Sequence, residues 1–553
     1  MKNSTDNNVL AVILLASLLF QGCKKDPQPL ITYDNLIEVD ATQLGGVLPN
    51  IGSNVNTWDM GTMFYNPKVN EEFNVFEFVK YVQFMQCTGG SLGRDLFRNP
   101  GMPEMRDDYK FSPLVKNCAG VLKLGAKPHL KLGSVPLKLT TGAELSPDFG
   151  TNIYPPDDYE EYYRYIKAII QALVDEFGLE EVRTWHFGCM TEYENGQWFM
   201  AKSRKSEDSF VEYCKLYDYT VQALIDVLGE DVYVGAHSMT TSEGLWNEEK
   251  FIEHCAKGTN YANGGKGSRL CYLAASFYDT APGKFTTNHD LPTTVGILKG
   301  AAVANGLTNI DFGIDEGRIL CGITAGSESN QAYNRVVGYT WQAAYDARIF
   351  KQGIDAGLNY FSSWNLLTGS NTVGYPIISY HVVSNMSKFE GYNRASVNVD
   401  MKALNPGEEV DCLAGTDGNT VRVMVYNFKN DIKYKRRIKY QLHVKLPFDA
   451  KEVKVIRYLV SDDCNFFDEW VADREELGIT SKDFGWSPDD PMVDNSVTLR
   501  SSSAITKYKT KKEQYKECAR LIPVTETVKV SKGLLELDET IDGCNVLFLE
   551  ITR

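Results

Sequence analysis

The sequence has no long basic run after its N-terminal segment, few histidines and no closely paired cysteines. Its 553 residues include 57 Lys and Arg against 72 Asp and Glu, a formal net charge of −15. Phosphate neutralisation needs clustered Lys and Arg, so the composition argues against a nucleic-acid partner. With 7 histidines and no CxxC pair, the sequence gives little support for a structural metal site, and we expect neither a metal nor a cofactor.

The cysteines do not indicate a disulfide framework. Of the 12 cysteines, Cys23 follows the N-terminal apolar run. The other 11 are an odd number and have no short paired spacings. Several lie in or beside apolar, strand-like runs, where cysteine most often behaves as a small buried hydrophobic residue. These are Cys87, Cys189, Cys271 and Cys321.

A long apolar run occurs only once, from Val9 to Phe20, and it precedes Gln21-Gly22-Cys23. The run is typical of an export signal and is shorter than the roughly 20 residues that a membrane span needs. A small residue directly before cysteine resembles a lipoprotein-processing site. We therefore expect residues 1–22 to be a signal peptide and Cys23 to carry lipid that anchors the protein in the outer membrane, on its periplasmic face or at the cell surface. An ordinary cleaved signal is the alternative, because Phe20 stands where leucine is commoner.

Eight short β-like runs alternate with helical patterns between about residue 46 and residue 391. The runs are Leu48 to Trp58, Tyr81 to Asp95, Lys127 to Val135, Val182 to Glu192, Val232 to Ser238, Leu273 to Asp279, Ile310 to Glu316 and Leu358 to Asn365. Strands that alternate with helices pair in parallel, and eight such units predict a (β/α)8 TIM barrel. An open doubly wound sheet is the alternative, but Asn50 to Asn54 does not supply its GxGxxG loop.

Two of the intervening segments have clear helical patterns. Asp157 to Gly178 begins with acidic residues, has apolar residues at helical spacing and ends at glycine. Ser209 to Gly229 repeats the pattern. We expect both to be helices on the outside of the barrel.

Beyond residue 391 the pattern changes to shorter segments with period-two alternation. Examples are Thr420 to Tyr426, Ile438 to Val444, Val453 to Tyr458 and Asn545 to Leu549. They predict a C-terminal antiparallel β-sandwich. The predicted domains are therefore a tether at 23–45 that could add a strand to the sandwich, the barrel at 46–391 and the sandwich at 392–553.

Acidic residues end the fourth and the seventh run, at Glu192 and Glu316. Strand ends meet at the C-terminal rim of such a barrel, where active sites lie. A pair of carboxylates is what hydrolysis of a glycosidic bond requires. Glu194 is the alternative to Glu192, because residues two apart in a strand face the same side. Asp315 is the alternative to Glu316, because alternation sends only one of the two into the barrel.

These strand ends resemble those of clan A glycoside hydrolases, and of family 39 in particular, the family of β-xylosidases and α-L-iduronidases. The fourth run matches a Trp-x-Phe-x-x-x-Asn-Glu-Pro-like pattern at Trp185, Phe187 and Thr191-Glu192. The third run matches a Lys-Pro-x-x-x-Leu-Gly-x-x-Pro-like pattern from Lys127 to Pro136. The resemblance implies that Glu192 is the acid/base and Glu316 the nucleophile. One departure is Thr191, where the clan has an asparagine whose amide holds the substrate 2-hydroxyl.

The resemblance also implies a set of supporting residues. Arg94 would contact the nucleophile and hold it ionised, and Tyr278 would lie beside it. Trp364 would form a platform under the sugar, next to Asn365. Trp58 and Trp198 are weaker candidates for the same stacking, since a single Trp is more often structural.

The sequence is compatible with two functions. The first is a retaining glycoside hydrolase that cleaves a poly- or oligosaccharide. The second is a glycan-binding lipoprotein on the same scaffold that does not cleave sugar. Only the enzyme needs two carboxylates about 5 to 5.5 Å apart. Carbohydrate is the expected partner in both cases, together with a membrane through the lipid on Cys23.

Overall fold

The computed structural model describes residues 35–553, apart from 60–63, 66, 68–73, 75, 241–243, 280–288, 320–338, 363–374, 403, 479–505 and 508. The predicted signal peptide and Cys23 lie outside the described residues, as do Cys321, Trp364 and Asn365. No helix in the described part of the chain has the length and apolar character needed to cross a membrane.

Eight parallel strands form the predicted barrel and follow one another around it in chain order. They are β2 (Asn54–Asp59), β3 (Tyr81–Gln86), β4 (Lys127–Leu132), β5 (His186–Cys189), β6 (Tyr233–Ser238), β7 (Tyr272–Asp279), β8 (Asp311–Ile319) and β9 (Tyr360–Phe361). The last strand returns to the first, because the Phe361 amide donates to the Ile51 carbonyl at 2.7 Å. Each strand falls within or overlaps one of the eight predicted runs. The barrel prediction is confirmed, and the open doubly wound alternative is excluded.

Helices cover the outside of the barrel and the junction with the second domain. They are α1 (Ser112–Lys123), α2 (Tyr159–Phe177), α3 (Leu179–Val182), α4 (Ser206–Leu228), α5 (Glu248–Lys257), α6 (Leu291–Ala304), α7 (Trp341–Ala356), α8 (Ile378–Ser387), α9 (Phe467–Glu476) and α10 (Lys512–Cys518). Both predicted helices are present as α2 and α4. The Asp158 side chain caps α2 by accepting from the Glu160 amide, and Gly178 ends that helix at φ +85°.

Nine strands form the predicted sandwich. They are β1 (Asn35–Val47), β10 (Asn393–Met401), β11 (Glu408–Thr416), β12 (Thr420–Lys429), β13 (Ile438–Lys445), β14 (Glu452–Val460), β15 (Val524–Lys529), β16 (Leu534–Ile541) and β17 (Val546–Thr552). Their order is β15-β14-β17-β12-β11-β10-β1-β13-β16. Most pairs are antiparallel, as predicted, but β1 lies parallel to β13. A parallel pair needs a long connection, and the whole barrel separates these two strands in the sequence.

Strand β12 shows how the sandwich attaches to the barrel. Its alternating residues Val421, Val423 and Val425 belong to the apolar core of the sandwich. Met424 and Tyr426 lie on the opposite face of the strand and belong instead to the core that continues into the barrel. Both faces of this strand are therefore buried, and the sandwich packs against helix α7.

Candidate active site

The fourth barrel strand, β5, ends at Cys189 and leads into a tight turn that carries Glu192. Met190 and Glu192 have φ values of +63° and +44°, a left-handed conformation that costs energy in residues with a side chain. Hydrogen bonds to both neighbouring strands hold the turn. The Met190 amide donates to the Leu132 carbonyl at 2.6 Å, and the Tyr193 amide donates to the His237 carbonyl at 2.8 Å.

Gly133, at the end of β4, allows this turn to approach closely. It has φ +110°, and a Cβ atom there would lie 2.9 Å from the Met190 nitrogen. Real Cβ contacts are longer than this, so a side chain at position 133 would push the turn away. The glycine in the third-run pattern therefore has a direct structural role next to Glu192.

The half-buried Glu192 carboxylate is hydrogen-bonded at both oxygens. Ser276 Oγ, from β7, donates to Oε1 at 2.6 Å. Asn195 Nδ2 donates to Oε2 at 2.7 Å. These two donors fix the rotation of the carboxyl group.

Glu316, in β8, is only 6% exposed. The Tyr278 hydroxyl, from β7, donates to Glu316 Oε1 at 2.7 Å. Glu192 and Glu316 each have a carboxylate oxygen in a group that also includes a His237 ring nitrogen, and these atoms all lie within 4.8 Å of one another. A separation this short fits a retaining mechanism, whereas an inverting pair is about 6.5 to 9.5 Å apart.

Two carboxylates and an imidazole at this spacing are also a possible ligand set for a divalent cation. The imidazole already has a protein partner, however, because His237 Nε2 is 2.9 Å from Ser276 Oγ. Ser276 Oγ thus lies within hydrogen-bonding distance of both His237 Nε2 and Glu192 Oε1.

The expectation that only one of Asp315 and Glu316 points into the barrel is wrong. Ala275 pairs with Ile314 and Ser276 pairs with Glu316, so Asp315 is the extra residue of a β-bulge. A bulge breaks the period-two alternation. Both carboxylates consequently face inward, at different depths.

Asp315 lies in the deeper layer and is fully buried. It forms an ion pair with Lys131 Nζ from β4, and it accepts a hydrogen bond of 2.5 Å from the Tyr360 hydroxyl of β9. Its backbone carbonyl accepts from Asn56 Nδ2 at 2.8 Å and from Gln83 Nε2 at 3.2 Å. The bulge that presents Glu316 is thus held by residues of four other strands.

Glu194 and Glu192 do not share a face, because both lie in the turn beyond the end of β5. Glu194 is 1% exposed, and its Oε1 accepts from the Ser238 hydroxyl and from the Met239 amide. Burial raises the pKa of Glu194 to about 8. The geometry therefore assigns Glu194 to the link between β5 and β6 and leaves Glu192 facing Glu316.

The other predicted site residues are placed as follows. Arg94 Nη1 donates to Gln86 Oε1 at 3.1 Å and to the Phe149 carbonyl at 3.2 Å, so its predicted contact with the nucleophile stays a prediction. Thr191 is 1% exposed, and its hydroxyl faces the Met85 carbonyl at 3.4 Å. Trp198 is buried and stacks on Phe149, with ring centroids 4.2 Å apart.

The aromatic platform cannot be placed in the same way. Trp364 and Asn365 lie outside the described residues, and the backbone of Trp58 is described in β2 without its side chain. The roles given to them by the family resemblance therefore stay predictions.

The sequence profile of "Glycosyl hydrolases family 39" matches residues 90–475, a region that contains both Glu192 and Glu316. The chain belongs to glycosyl hydrolase family 39. It is 32% identical over 349 residues to a "Beta-xylosidase" of Caldicellulosiruptor saccharolyticus, covering 61% of this chain and 64% of that protein. It is 29% identical over 154 residues to a "Beta-xylosidase" of Geobacillus stearothermophilus, covering 28% and 29%. The matched segments thus span less than two thirds of the length of these curated relatives.

A solved structure supports the same fold for this family 39 chain. The crystal structure of a monomeric beta-xylosidase from Caulobacter crescentus CB15 superposes with a TM-score of 0.63. The match covers 94% of this chain and 99% of that chain at 14% sequence identity. The likeness therefore concerns the arrangement of barrel and sandwich.

Three polar residues around Glu192 and Glu316 were missed by sequence reasoning: Asn195, His237 and Ser276. Ser276 could have been found, because it stands two residues before Tyr278 in a strand and so shares its face. His237 could have been found in the same way at the end of the fifth run. Asn195 gave no such signal, because its position depends on the turn after β5.

Proposed function

We propose that this protein is a retaining glycoside hydrolase with Glu192 as acid/base and Glu316 as nucleophile. The observation that carries the proposal is the approach of a Glu192 oxygen and a Glu316 oxygen to within 4.8 Å. Membership of family 39 supports the same chemistry. A protein that only binds glycan has no need for two carboxylates this close together.

In the first step, Glu316 attacks the anomeric carbon and Glu192 gives its proton to the leaving glycosidic oxygen. The bond from the anomeric carbon to that oxygen breaks as the bond to Glu316 forms, and the aglycone leaves as an alcohol. Tyr278 donates to Glu316 Oε1 and so fixes the rotation of the attacking carboxylate. The product of this step is a sugar esterified to Glu316.

In the second step, Glu192 acts as a base and takes a proton from water while the water oxygen attacks the same carbon. The ester bond to Glu316 breaks, and the sugar is released with its original anomeric configuration. Glu192 recovers its proton and Glu316 its charge, so both residues return to their starting states.

β-Xylosides are the substrates that we propose for the first tests, because both curated relatives are named as β-xylosidases. Thr191 limits how far this analogy extends. Its short side chain faces the Met85 carbonyl, whereas an asparagine at this position would hold the substrate 2-hydroxyl. We therefore expect a weaker dependence on the 2-hydroxyl than in family members that carry the asparagine.

The acid/base assignment is tested by comparing substrates with good and poor leaving groups. Glu192→Ala is expected to slow hydrolysis of xylobiose by roughly 10²–10⁴-fold, because a sugar alcohol needs a proton in order to leave. It should slow the first step on a dinitrophenyl β-xyloside far less, since an activated phenol leaves without a proton. Pre-steady-state release of the phenol measures that step.

Glu194→Gln is the matched control, because Glu194 lies two residues away and its carboxyl group faces β6. Any change in rate that Glu194→Gln causes should be the same for xylobiose and for the dinitrophenyl β-xyloside. If Glu194→Gln shows the pattern and Glu192→Ala does not, the acid/base has been assigned to the wrong carboxylate. If neither carboxylate is needed for hydrolysis, or if the wild type hydrolyses no glycoside while binding glycan, the protein is not the proposed enzyme.

We further propose that the protein is an outer-membrane lipoprotein anchored through Cys23. The apolar run from Val9 to Phe20 and the Gly22-Cys23 pair support the proposal. Radiolabelled palmitate fed to expressing cells should label the wild type and not Cys23→Ala. Equal labelling of both would contradict the anchor.

A further inference from the structure

Two buried strand residues, His237 and Ser276, form a hydrogen-bonded chain with the proposed acid/base. His237 Nε2, from β6, lies 2.9 Å from Ser276 Oγ, and Ser276 Oγ lies 2.6 Å from Glu192 Oε1. His237 and Ser276 are both fully buried. Neither is assigned a role by the two-carboxylate mechanism itself.

The direction of these hydrogen bonds follows from counting protons. Ser276 has one hydroxyl proton, and an ionised carboxylate can only accept. When Glu192 is ionised, Ser276 therefore donates to it, and the serine oxygen accepts from His237. His237 then carries its proton on Nε2. Burial, with a smaller contribution from Lys131, holds the pKa of His237 well below its ordinary value, so the imidazole is neutral with that single proton.

We propose that Ser276 and His237 are a positioning pair for Glu192, in which His237 acts only through the hydroxyl of Ser276. The inference rests on the proposed function, because it assumes that Glu192 is the acid/base. His237 fixes the rotamer of the serine hydroxyl, and the hydroxyl then holds Glu192 Oε1. Asn195 holds the other oxygen, so the carboxyl group cannot rotate away from the substrate.

The pair also stabilises the ionised form of Glu192. A hydrogen bond donated to a carboxylate favours its charged state. This matters because Glu316 lies within the same 4.8 Å group and opposes a second negative charge. The pair counteracts that repulsion in the free enzyme. In the second step Glu316 is esterified and uncharged, and the same hydrogen bonds hold Glu192 while it acts as the base.

The charged and titratable groups around Glu192 come from several strands. In the described part of the chain, β8 contributes Glu316, β7 contributes Tyr278 and β6 contributes His237. Glu194 in the same turn faces β6 instead. The ion pair of Lys131 and Asp315 lies in the layer below. Ser276→Ala removes only the hydrogen bond from Ser276 and leaves all of these groups in place.

The test is the pH dependence of kcat/KM on xylobiose, whose alkaline limb reports loss of the acid. In Ser276→Ala this limb is expected to move to higher pH by about one unit. One unit corresponds to about 1.4 kcal/mol, the order of magnitude of one hydrogen bond to a charged group. His237→Leu should move the alkaline limb in the same direction. His237→Gln keeps a hydrogen-bond donor, so its alkaline limb should lie at the wild-type pH.

The double variant Ser276→Ala/His237→Leu separates a positioning pair from two independent residues. Its limb should coincide with that of Ser276→Ala, because the hydrogen bond of His237 Nε2 is made to Ser276. Ser276→Thr keeps the hydroxyl and should resemble the wild type. Ser238→Ala is the matched control, because this neighbouring buried serine donates to Glu194, and it should leave the limb in place.

An unmoved limb in Ser276→Ala, or additive shifts in the double variant, would overturn the inference while leaving a working glycosidase. Absence of hydrolysis by the wild type on every glycoside would instead overturn the proposed function. Thermal unfolding of each variant identifies any that fail to fold, and the Thr and Gln variants then carry the test.

Discussion

The interior of the barrel and the interior of the sandwich are built from opposite kinds of residue. The sandwich core consists of aliphatic side chains with a few aromatic rings, such as Val423, Leu442 and Leu537. The barrel interior contains a buried ion pair, two buried histidines and several buried amides and hydroxyls. These include Asn56, Gln83, His129, Lys131, His237, Ser276, Asp315 and Ser362.

This difference separates stability from function in the molecule. Buried charges need partners, and their desolvation offsets most of what the pairing contributes. A barrel that served only as a scaffold would be filled by Val, Ile and Leu. The polar layer beneath Glu316 therefore has a structural role: it holds the bulge at Asp315 in one fixed conformation.

The largest expected effect comes from removing one member of the buried ion pair between Lys131 and Asp315. Asp315→Ala leaves Lys131 buried without its carboxylate, and such a change costs about 3–5 kcal/mol of unfolding free energy. We expect activity to fall as well, because Glu316 follows directly in the chain. Denaturant unfolding and kcat on a β-xyloside measure the two effects.

The double variant Lys131→Met/Asp315→Leu is the control for that result. It removes both charges and fills the space with apolar side chains, so it should recover most of the lost stability. It should not recover activity, because the bulge loses the contacts of Asp315. Recovery of both would show that the polar layer has no part in positioning Glu316.

A substitution in the sandwich core should lower stability without lowering activity. Leu442 is fully buried in its apolar core, so Leu442→Ala should cost about 2–5 kcal/mol through lost burial and a cavity. Values of kcat and KM for the folded variant should stay at the wild-type level. A fall in kcat without unfolding would mean that the sandwich influences the site.

The remaining expected effect concerns Glu194 and depends on pH. Burial raises the pKa of Glu194 from its ordinary value of 4.5 to about 8. The folded state therefore keeps a proton that the unfolded chain releases, so stability falls as pH rises from 4.5 to 8. Glu194→Gln has no such proton and should gain relative stability across that window, by at most about 1.4 kcal/mol per pH unit.

Paired denaturant unfolding of the wild type and Glu194→Gln at several pH values between 5 and 8 measures this difference. Ser238→Ala at the same pH values serves as a comparison that keeps the carboxyl group. A constant difference between wild type and Glu194→Gln would contradict the assignment of a buried, protonated carboxyl.

The eight barrel strands and the change to a sandwich could be predicted from the sequence, because alternation with helices and period-two patterning are local signals. The positions of Glu192 and Glu316 were also available, since each ends one of the predicted β-like runs. The bulge at Asp315 could not be predicted, because it depends on contacts with Lys131 and Tyr360 that are distant in sequence. The chain Glu192–Ser276–His237 was hidden for the same reason.

The separation of Glu192 from Glu194 was likewise out of reach. Strand alternation places both on one face, but β5 ends at Cys189 and the left-handed turn at Met190 and Glu192 redirects the chain. Such a turn depends on Gly133 in the neighbouring strand. A local pattern does not contain that contact.

The most direct test of the proposed retaining mechanism is to trap the sugar on the nucleophile. A 2-deoxy-2-fluoro-β-xylosyl fluoride forms the ester quickly and releases it slowly, so the protein should gain the mass of one fluorosugar. Peptide mapping should place that mass on Glu316, and proton magnetic resonance of the first product from a natural substrate should show the retained anomer. A label on Asp315, or an inverted first product, would contradict the mechanism assigned to Glu192 and Glu316.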